Sequence, residues 1–323
     1  MNYYSFNQRK LSRIALGCDH FGEDIPALVA LKEMDYYYQE GGNLFDTARA
    51  YGQSVADGPS TSEQVVGKWI QANGCRENII LATKGGLPPK NDMHKSRLTE
   101  KCIRFDVETS LQQLKVNKVD IWFLHRDNPA MGVDEIVDLV NEEVVAKGYT
   151  TYLGLSNWKS KRIEQANEWA KKHNRQGFSL SEIQDSLAYC TPQQWNDDTI
   201  VCMDDHEELW YKKNNFPVLA FASQAKGFFS KILNGGMDEL SQKAKERFVT
   251  ERNLAMVPKV EALSQELKVS VAALCVAYLT SQEYPVFPII GSSKLSQIKD
   301  SLSSADLILT KEQLGYLKSG ERA

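Results

Sequence analysis

The chain has 323 residues, of which 42% are hydrophobic and 25% are charged, and its formal net charge is −4. These values are ordinary for a soluble globular protein and indicate no basic surface for nucleic acid or for an anionic membrane. No stretch approaches about 18 uninterrupted apolar residues, so no membrane-spanning helix is predicted. Six cysteines without a CxxC pair indicate reduced thiols, and the N-terminus lacks the apolar core of a secretory signal. The expected location is therefore the cytoplasm.

Strand-like apolar runs alternate with amphipathic helical patterns along the chain. The predicted strands are 13–17, 43–46, 79–83, 119–123, 151–155, 181–184, 217–221 and 286–290. Helical periodicity marks the segments 99–114, 133–146, 160–172 and 258–267. Ser160 is predicted to be a helix N-cap, and Pro258 is predicted to lie in a first helical turn. Eight strand–helix units in a chain of this length predict one α/β domain over residues 1–323, a single (β/α)8 TIM barrel.

Two segments depart from the regular alternation of strands and helices. Residues 185–204 are predicted to form a long loop after the sixth strand, and residues 223–257 a long segment after the seventh. Loops that follow barrel strands lie over the active mouth, so both are expected near a site. A doubly wound sheet is the structural alternative, but the G-x-G-x-x-G turn of a Rossmann domain is missing from the sequence.

Three segments place polar side chains at the ends of predicted strands. They read FDTARAY, ATKGG and WFLHRD, and they supply Asp46 with Tyr51, then Lys84, then His125. Reduction of a carbonyl by hydride transfer creates an alkoxide, which an enzyme must protonate as its charge develops. Tyr51 is the predicted proton donor, and Lys84 is predicted to lower its pKa from about 10. Asp46 is predicted to orient Lys84, and His125 to bind the substrate oxygen.

Each of these residues alone has a common structural role, and their joint occurrence favours catalysis. Other chemistries find less support in the sequence. The five histidines are scattered without ligand spacing, so no metal site is predicted. The chain has no G-x-S-x-G turn, which argues against a hydrolase with a serine nucleophile.

Together with SRIALGCDHFG, GLSNW and PVFPIIGSSKLSQIKDSL, these segments resemble the aldo-keto reductase superfamily. The resemblance extends from about Ser12 to Leu302. Within the superfamily the chain is similar to bacterial reductases and to the branch of the potassium-channel β subunits. The resemblance implies a TIM barrel, a catalytic tetrad and NADPH as the cofactor. The tetrad positions are occupied by Asp46, Tyr51, Lys84 and His125.

The resemblance also implies a set of cofactor-binding residues. Ser156, Asn157 and Gln184 match residues that hydrogen-bond the nicotinamide carboxamide, and Phe221 matches the aromatic residue that stacks on the ring. The segment expected near the pyrophosphate comprises Ala222, Ser223, Gln224, Ala225, Lys226 and Gly227. The residues expected at the adenosine end are Gly291, Ser292, Ser293, Lys294, Gln297, Asp300 and Ser301. A helix N-terminus beside Lys294 favours an anion such as the 2′-phosphate, and Gln297 stands where some relatives have Arg.

The predicted function is NADPH-dependent reduction of an aldehyde or ketone to an alcohol, with Tyr51 as the general acid. An NADP-binding regulatory subunit with little turnover is the alternative, because the channel β subunits keep the same tetrad. A lyase or isomerase barrel is a third possibility, although it would not need the carboxamide-binding residues. The expected partner is a small carbonyl compound, with neither nucleic acid nor a membrane, and the oligomeric state is left open. Arg126 and Asp127 suggest either a polar substrate such as a sugar or a surface ion pair.

Overall fold

The computed structural model describes residues 1–53, 58–303 and 305–319. Two short strands, β1 (Tyr3–Phe6) and β2 (Arg9–Ser12), form an antiparallel hairpin. The strands that follow this hairpin in the chain are β3 (Ala15–Gly17), β4 (Leu44–Asp46), β5 (Ile80–Gly85), β6 (Val119–Leu124), β7 (Thr150–Ser156), β8 (Phe178–Gln184), β9 (Val218–Phe221) and β10 (Val286–Ile290). In the described residues these eight parallel strands close into a barrel in the order β10-β3-β4-β5-β6-β7-β8-β9. The predicted (β/α)8 fold is confirmed.

Helices connect and flank the barrel strands. In chain order the α-helices are α1 (Ala27–Gln39), α2 (Thr61–Asn73), α3 (Glu100–Leu114), α4 (Val133–Val140), α5 (Ser160–Lys172), α6 (Pro192–Trp195), α7 (Asp205–Asn214), α8 (Phe228–Gly235), α9 (Gln242–Phe248), α10 (Glu251–Leu267), α11 (Val271–Thr280), α12 (Leu295–Leu302) and α13 (Lys311–Ser319). Short 3-10 turns lie at Arg76–Asn78, Ala225–Gly227 and Met237–Glu239, and α4 continues as a π-helix over Asn141–Val145.

No single helix among these residues is both long enough and apolar enough to span a membrane. The pair α10 and α11, bent by 93°, meets the length and composition criteria only when the two are taken together. Most side chains of α11 are buried in the protein core.

Two helix starts differ from the sequence-based expectation. Ser160 is the first residue of α5, and Lys159 occupies the N-cap position with extended backbone and no side-chain cap. The helix α10 begins before Pro258, because Thr250 caps it by accepting a hydrogen bond from the Asn253 amide. Pro258 therefore lies inside the helix, where its missing N–H is tolerated at the cost of one helical hydrogen bond.

The two long connections are present after β8 and β9, as predicted. Residues 185–204 are mostly loop and contain the short helix α6. Residues 223–257 are mainly helical, since they contain α8, α9 and the first part of α10. The second connection is thus long, but it is built largely from short helices.

The chain divides into two compact units, Ala15–Glu182 and Met1–Ile14 with Ile183–Ala323. In the first unit, Phe123 pairs in register with Lys84 on one side and Gly154 on the other. A Cβ at Gly154 would lie 2.4 Å from the Phe123 ring, so only glycine permits this packing beside Lys84. In the second unit, aromatic side chains such as Tyr211 and Phe228 belong to a large apolar core. The assignment of residues 1–323 to one domain stays a prediction.

Candidate active site

Lys84 lies at the centre of a buried polar cluster in the unit Ala15–Glu182. Successive side chains of a strand point to opposite faces. Thr83 donates a hydrogen bond of 2.6 Å to Glu63 of α2, on the helical side of β5, so Lys84 lies on the inner face. Its fully buried Nζ donates to both carboxylate oxygens of Asp46, at 2.6 and 2.7 Å, and to the Thr47 carbonyl at 3.1 Å. A buried ammonium persists only with such partners.

Tyr51 joins this cluster from the turn that follows β4. Lys84 Nζ lies 3.1 Å from the Tyr51 hydroxyl and 4.9 Å from the centre of its ring. The Ser60 hydroxyl donates a hydrogen bond of 2.7 Å to the Tyr51 carbonyl and so fixes the turn. The His125 imidazole stands edge-on to the Tyr51 ring, with 5.7 Å between ring centres. The structure therefore brings together the four residues that the sequence predicted as a tetrad.

Glu182 on β8 is a second carboxylate beside Lys84, and the sequence analysis missed it. Its Oε2 lies 3.3 Å from Lys84 Nζ, and only 3% of its side chain is exposed. Glu182 is paired in register with Ser156, and its carbonyl accepts a hydrogen bond of 2.9 Å from the Asn157 amide. The sequence did contain a signal for Glu182, because side chains two residues apart in a strand share a face, and Glu182 lies two residues before the predicted Gln184.

The ionisation of the cluster reflects a competition between burial and charge. Burial raises the pKa of Tyr51 above its ordinary value, while Lys84 acts in the opposite direction. Lys84 lowers the pKa of Tyr51, as predicted, but burial is the larger effect, so the net shift is upward. Burial also raises the pKa of Glu182 to about 8, and the nearby Asp46 adds to this rise.

Lys84 and Asp46 remain the charged pair of the cluster. Burial alone would lower the pKa of Lys84, but Asp46 and Glu182 together raise it well above its ordinary value. Burial raises the pKa of Asp46, and Lys84 opposes that rise. An ammonium with a bidentate carboxylate contact is the arrangement in which both charges are mutually stabilised.

His125 is held as a neutral imidazole. Burial lowers its pKa well below the ordinary value, and Arg126 and Lys84 act in the same direction. Its ring Nδ1 is buried and has no hydrogen-bond partner within the residues described. A neutral imidazole keeps one N–H that can be donated to an oxygen of a bound molecule.

The two charged residues that follow His125 do not pair with each other in the described contacts. Asp127 accepts hydrogen bonds of 2.7 and 3.0 Å from Arg162, while Arg126 donates to the His125 carbonyl at 3.0 Å. The Arg162 guanidinium also lies over the buried Trp158 ring. Asp127 is thus part of a structural ion pair, although its partner differs from the one the sequence suggested.

Ser156 and Asn157 lie at the end of β7, and both are buried. The Asn157 side-chain amide donates a hydrogen bond of 3.0 Å to the Ser156 hydroxyl. Asn157 has a φ of 59°, a left-handed conformation that asparagine adopts more readily than most residues. A hydroxyl and an amide at a strand end can donate to and accept from a carboxamide, so these residues fit a nicotinamide.

The remaining predicted cofactor residues belong to the second unit. The buried Gln184 donates to the Ser186 hydroxyl at 3.2 Å, and the half-buried Phe221 contacts Trp195 edge-on with ring centres 5.7 Å apart. Ser223 donates to the Ile289 carbonyl at 2.7 Å. After Phe221 several residues have left-handed backbone, which is uncommon outside glycine and is a feature of segments under functional constraint. They are Ala222, Ala225, Lys226 and Gly227.

The predicted adenosine-binding segment leads into α12. Lys294 occupies the N-cap position, and no side chain caps the helix. Ser292 donates to the Lys294 carbonyl at 2.9 Å, and the segment is largely exposed at Gly291, Ser293, Lys294, Gln297 and Asp300. Ser301 is buried and contacts the Gln224 amide at 3.0 Å, which links two of the predicted residues. An uncapped helix start beside a cation fits a phosphate group.

Within residues 1–53, 58–303 and 305–319, no group of three His, Cys, Asp or Glu side chains could hold a metal ion. The six cysteines are free, and Cys190 and Cys202 approach to 3.8 Å between their sulfur atoms.

Comparisons with known proteins bear on this site. A sequence model described as the Aldo/keto reductase family matches residues 13–321. The chain is 26% identical over 303 residues to an aryl-alcohol dehydrogenase (NADP(+)) of Phanerodontia chrysosporium, which covers 89% of this chain and 74% of that protein. It is 27% identical over 316 residues to an uncharacterized oxidoreductase of Bacillus subtilis (strain 168), covering 95% of this chain and 91% of that protein. A thermostable aldo-keto reductase crystallised with the inhibitor epalrestat has a TM-score of 0.74 at 17% identity and 99% coverage of both chains, which shows a shared fold.

Proposed function

Because this chain belongs to the aldo/keto reductase family, a family of oxidoreductases, we propose that it reduces the carbonyl group of an aldehyde or ketone to an alcohol with NADPH. The observation that carries the proposal is the buried chain of contacts from Asp46 through Lys84 to the Tyr51 hydroxyl, with His125 beside it. A positioned hydroxyl, a fixed ammonium and a neutral imidazole are the groups that a developing alkoxide requires.

NADPH is proposed as the reductant because the residues predicted for its separate parts have side chains that suit them. Ser156 and Asn157 would hold the carboxamide, Phe221 the nicotinamide ring, and Lys294 the 2′-phosphate. When bound, NADPH supplies the hydride that the carbonyl carbon receives. The name of the fungal relative, an NADP(+)-dependent dehydrogenase, supports the same choice of cofactor.

Tyr51 is proposed to donate the proton that the carbonyl oxygen receives. Its raised pKa keeps the hydroxyl protonated through the neutral range, so the acid form is present when substrate binds. The phenolate left by proton transfer lies 3.1 Å from the Lys84 ammonium, which stabilises it in surroundings with little water. His125, as a neutral imidazole, would donate a hydrogen bond to the same substrate oxygen.

The substrate class to test first is the aromatic aldehydes. The name of the fungal relative, an aryl-alcohol dehydrogenase, supports this choice. The alternative of a polar substrate such as a sugar rested on Arg126 and Asp127, and it loses support because Asp127 is bound by Arg162. Aliphatic ketones and sugars form the comparison panel.

The test is a screen of aldehydes and ketones with NADPH, followed through the loss of NADPH absorbance. Tyr51→Phe should lower the rate by about 10²–10⁴, the usual effect of losing a general acid, while NADPH affinity stays nearly unchanged. Tyr152→Phe, on β7 of the same unit, is the matched control and should keep the full rate. Unchanged turnover in Tyr51→Phe would remove Tyr51 from this role. Tight NADPH binding with no turnover of any carbonyl would instead favour the regulatory-subunit alternative.

A further inference from the structure

Two buried carboxylates face a single buried cation at this site. Asp46 contacts Lys84 Nζ through both oxygens, at 2.6 and 2.7 Å, and Glu182 approaches the same atom to 3.3 Å from another strand. All three side chains are almost entirely shielded from solvent. When Glu182 is ionised, one ammonium cannot fully neutralise two anions, so the ionisation of Glu182 changes the net charge of the whole cluster.

We propose that Glu182 is a positioning residue that shares the Lys84 ammonium with Asp46 and thereby limits the positive charge that Lys84 presents to Tyr51. This inference rests on the proposed function, in which Lys84 stabilises the phenolate of Tyr51. It assigns Glu182 no contact with the substrate, because its effect passes through Lys84.

The groups around Glu182 define when this effect operates. Asp46 on β4, Lys84 on β5 and Tyr51 in the turn after β4 are the titratable groups that interact with it. Asp46 itself is influenced by Asp19, and the neighbouring β7 contributes the uncharged Ser156. Since burial and Asp46 raise the pKa of Glu182 to about 8, its carboxyl is neutral near pH 7 and becomes an anion in mildly alkaline solution.

The test uses alcohol oxidation, in which the phenolate of Tyr51 is the proton acceptor. Near neutrality Glu182→Gln should change the rate less than in alkaline solution, because a protonated carboxyl and an amide are both uncharged. In alkaline solution the amide cannot ionise, so the phenolate forms more easily. The alkaline limb of the rate profile should therefore shift to lower pH by about one unit, the size expected when a nearby like charge is removed. Lys84→Met should shift the same limb to higher pH.

Glu63→Gln is the matched control. Glu63 is also a buried carboxyl with its pKa raised by burial, to about 7, but it bonds Thr83 on the helical face of β5. Its replacement removes a comparable buried charge without altering the Lys84 cluster, so the alkaline limb should stay in place. An unmoved limb in Glu182→Gln, or an equal shift in Glu63→Gln, would overturn the proposal.

A second measurement does not require turnover. In protein labelled with ¹³C-carboxyl glutamate, the Glu182 resonance can be identified by its loss in Glu182→Gln, and its titration followed by NMR. We expect titration above the ordinary carboxyl range, and a lower midpoint in Asp46→Asn, where the competing anion is gone. Titration in the ordinary range, unaffected by Asp46→Asn, contradicts the shared ammonium. If instead no carbonyl is reduced while the titration of Glu182 behaves as expected, the proposed function is wrong, but the proposal that Glu182 and Asp46 share the Lys84 ammonium is supported.

Discussion

Replacing Lys84 by Met tests the buried cluster most directly, because Met keeps a long side chain and removes the ammonium. In the folded protein Lys84 Nζ lies within 3.3 Å of Asp46, Tyr51 and Glu182. Removing one partner of a buried ion pair costs about 3–5 kcal/mol, since the other charge remains buried. Glu182 is already neutral near pH 7, so Asp46 is the main uncompensated charge and we expect a loss near the lower end, about 3 kcal/mol.

The double variant Asp46→Asn with Lys84→Met separates this stability loss from the chemistry. Replacing both partners of a buried pair by neutral groups is often nearly neutral for stability. The double variant should therefore recover most of the ~3 kcal/mol that the single variant loses. Its carbonyl-reducing activity should stay low, because the phenolate of Tyr51 still lacks the ammonium 3.1 Å away.

Urea unfolding followed by tryptophan fluorescence gives the free energy of unfolding of each variant, and NADPH-coupled turnover of an aromatic aldehyde gives the activity. Two outcomes would refute the reasoning. Wild-type stability of the single Lys84→Met variant would mean that the ammonium is not tightly paired. Recovery of activity in the double variant would mean that Lys84 serves only to neutralise Asp46.

Two further predictions concern the cofactor and the pH dependence of stability. Lys294→Ala should weaken NADPH binding by about tenfold and leave NADH binding nearly unchanged, because one charge-assisted contact contributes about 1.5–3 kcal/mol before discounting for exposure. Fluorescence titration of both cofactors checks this, and equal affinity of the unaltered protein for NADH and NADPH would contradict it. Burial raises the pKa of Glu63 to about 7 and the pKa values of Glu182 and Asp185 to about 8. Each carboxyl therefore contributes its full stabilisation below the pKa that it has in the unfolded chain, and this contribution is lost as pH rises through the pKa of the folded protein. The free energy of unfolding measured in urea should fall from about pH 5 to about pH 8, by at most roughly 1.4 kcal/mol per pH unit for each carboxyl, and a free energy of unfolding that rises over this range would disprove the assignment.

The barrel could be predicted because its strands are buried on both faces and read as short, nearly continuous apolar runs. Each predicted strand has a counterpart in the structure, including Val286–Ile290 at the end of the series. The hairpin formed by Tyr3–Phe6 and Arg9–Ser12 was missed, because its strands have only four residues each and carry exposed polar residues such as Ser5 and Lys10. The start of α10 was missed because Pro258 gave a stronger local signal than the Thr250 cap.

The four residues of the tetrad were predictable for a related reason. Strand ends of a parallel barrel meet at one rim, so polar residues that close apolar runs are brought together wherever they lie in the chain. Asp46, Lys84 and His125 all satisfy this pattern, and Tyr51 follows one turn later. Glu182 does not follow this pattern, because it does not close an apolar run. Its contact with Lys84 depends on the register of β7 with β8 and on the closing of the barrel, which the sequence does not display.

The electrostatics of Tyr51 required the whole cluster and not only the nearest charge. A lysine beside a tyrosine suggests an easily ionised phenol, and the contact of 3.1 Å is there. Burial outweighs that contact, so the ground state of Tyr51 is a protonated donor. Near neutrality Asp46 and Lys84 cancel each other and Glu182 is uncharged, which leaves a nearly neutral cluster whose ammonium still points at Tyr51. Lys84 would then contribute at the moment when the phenolate forms, because its attraction grows with the charge that develops.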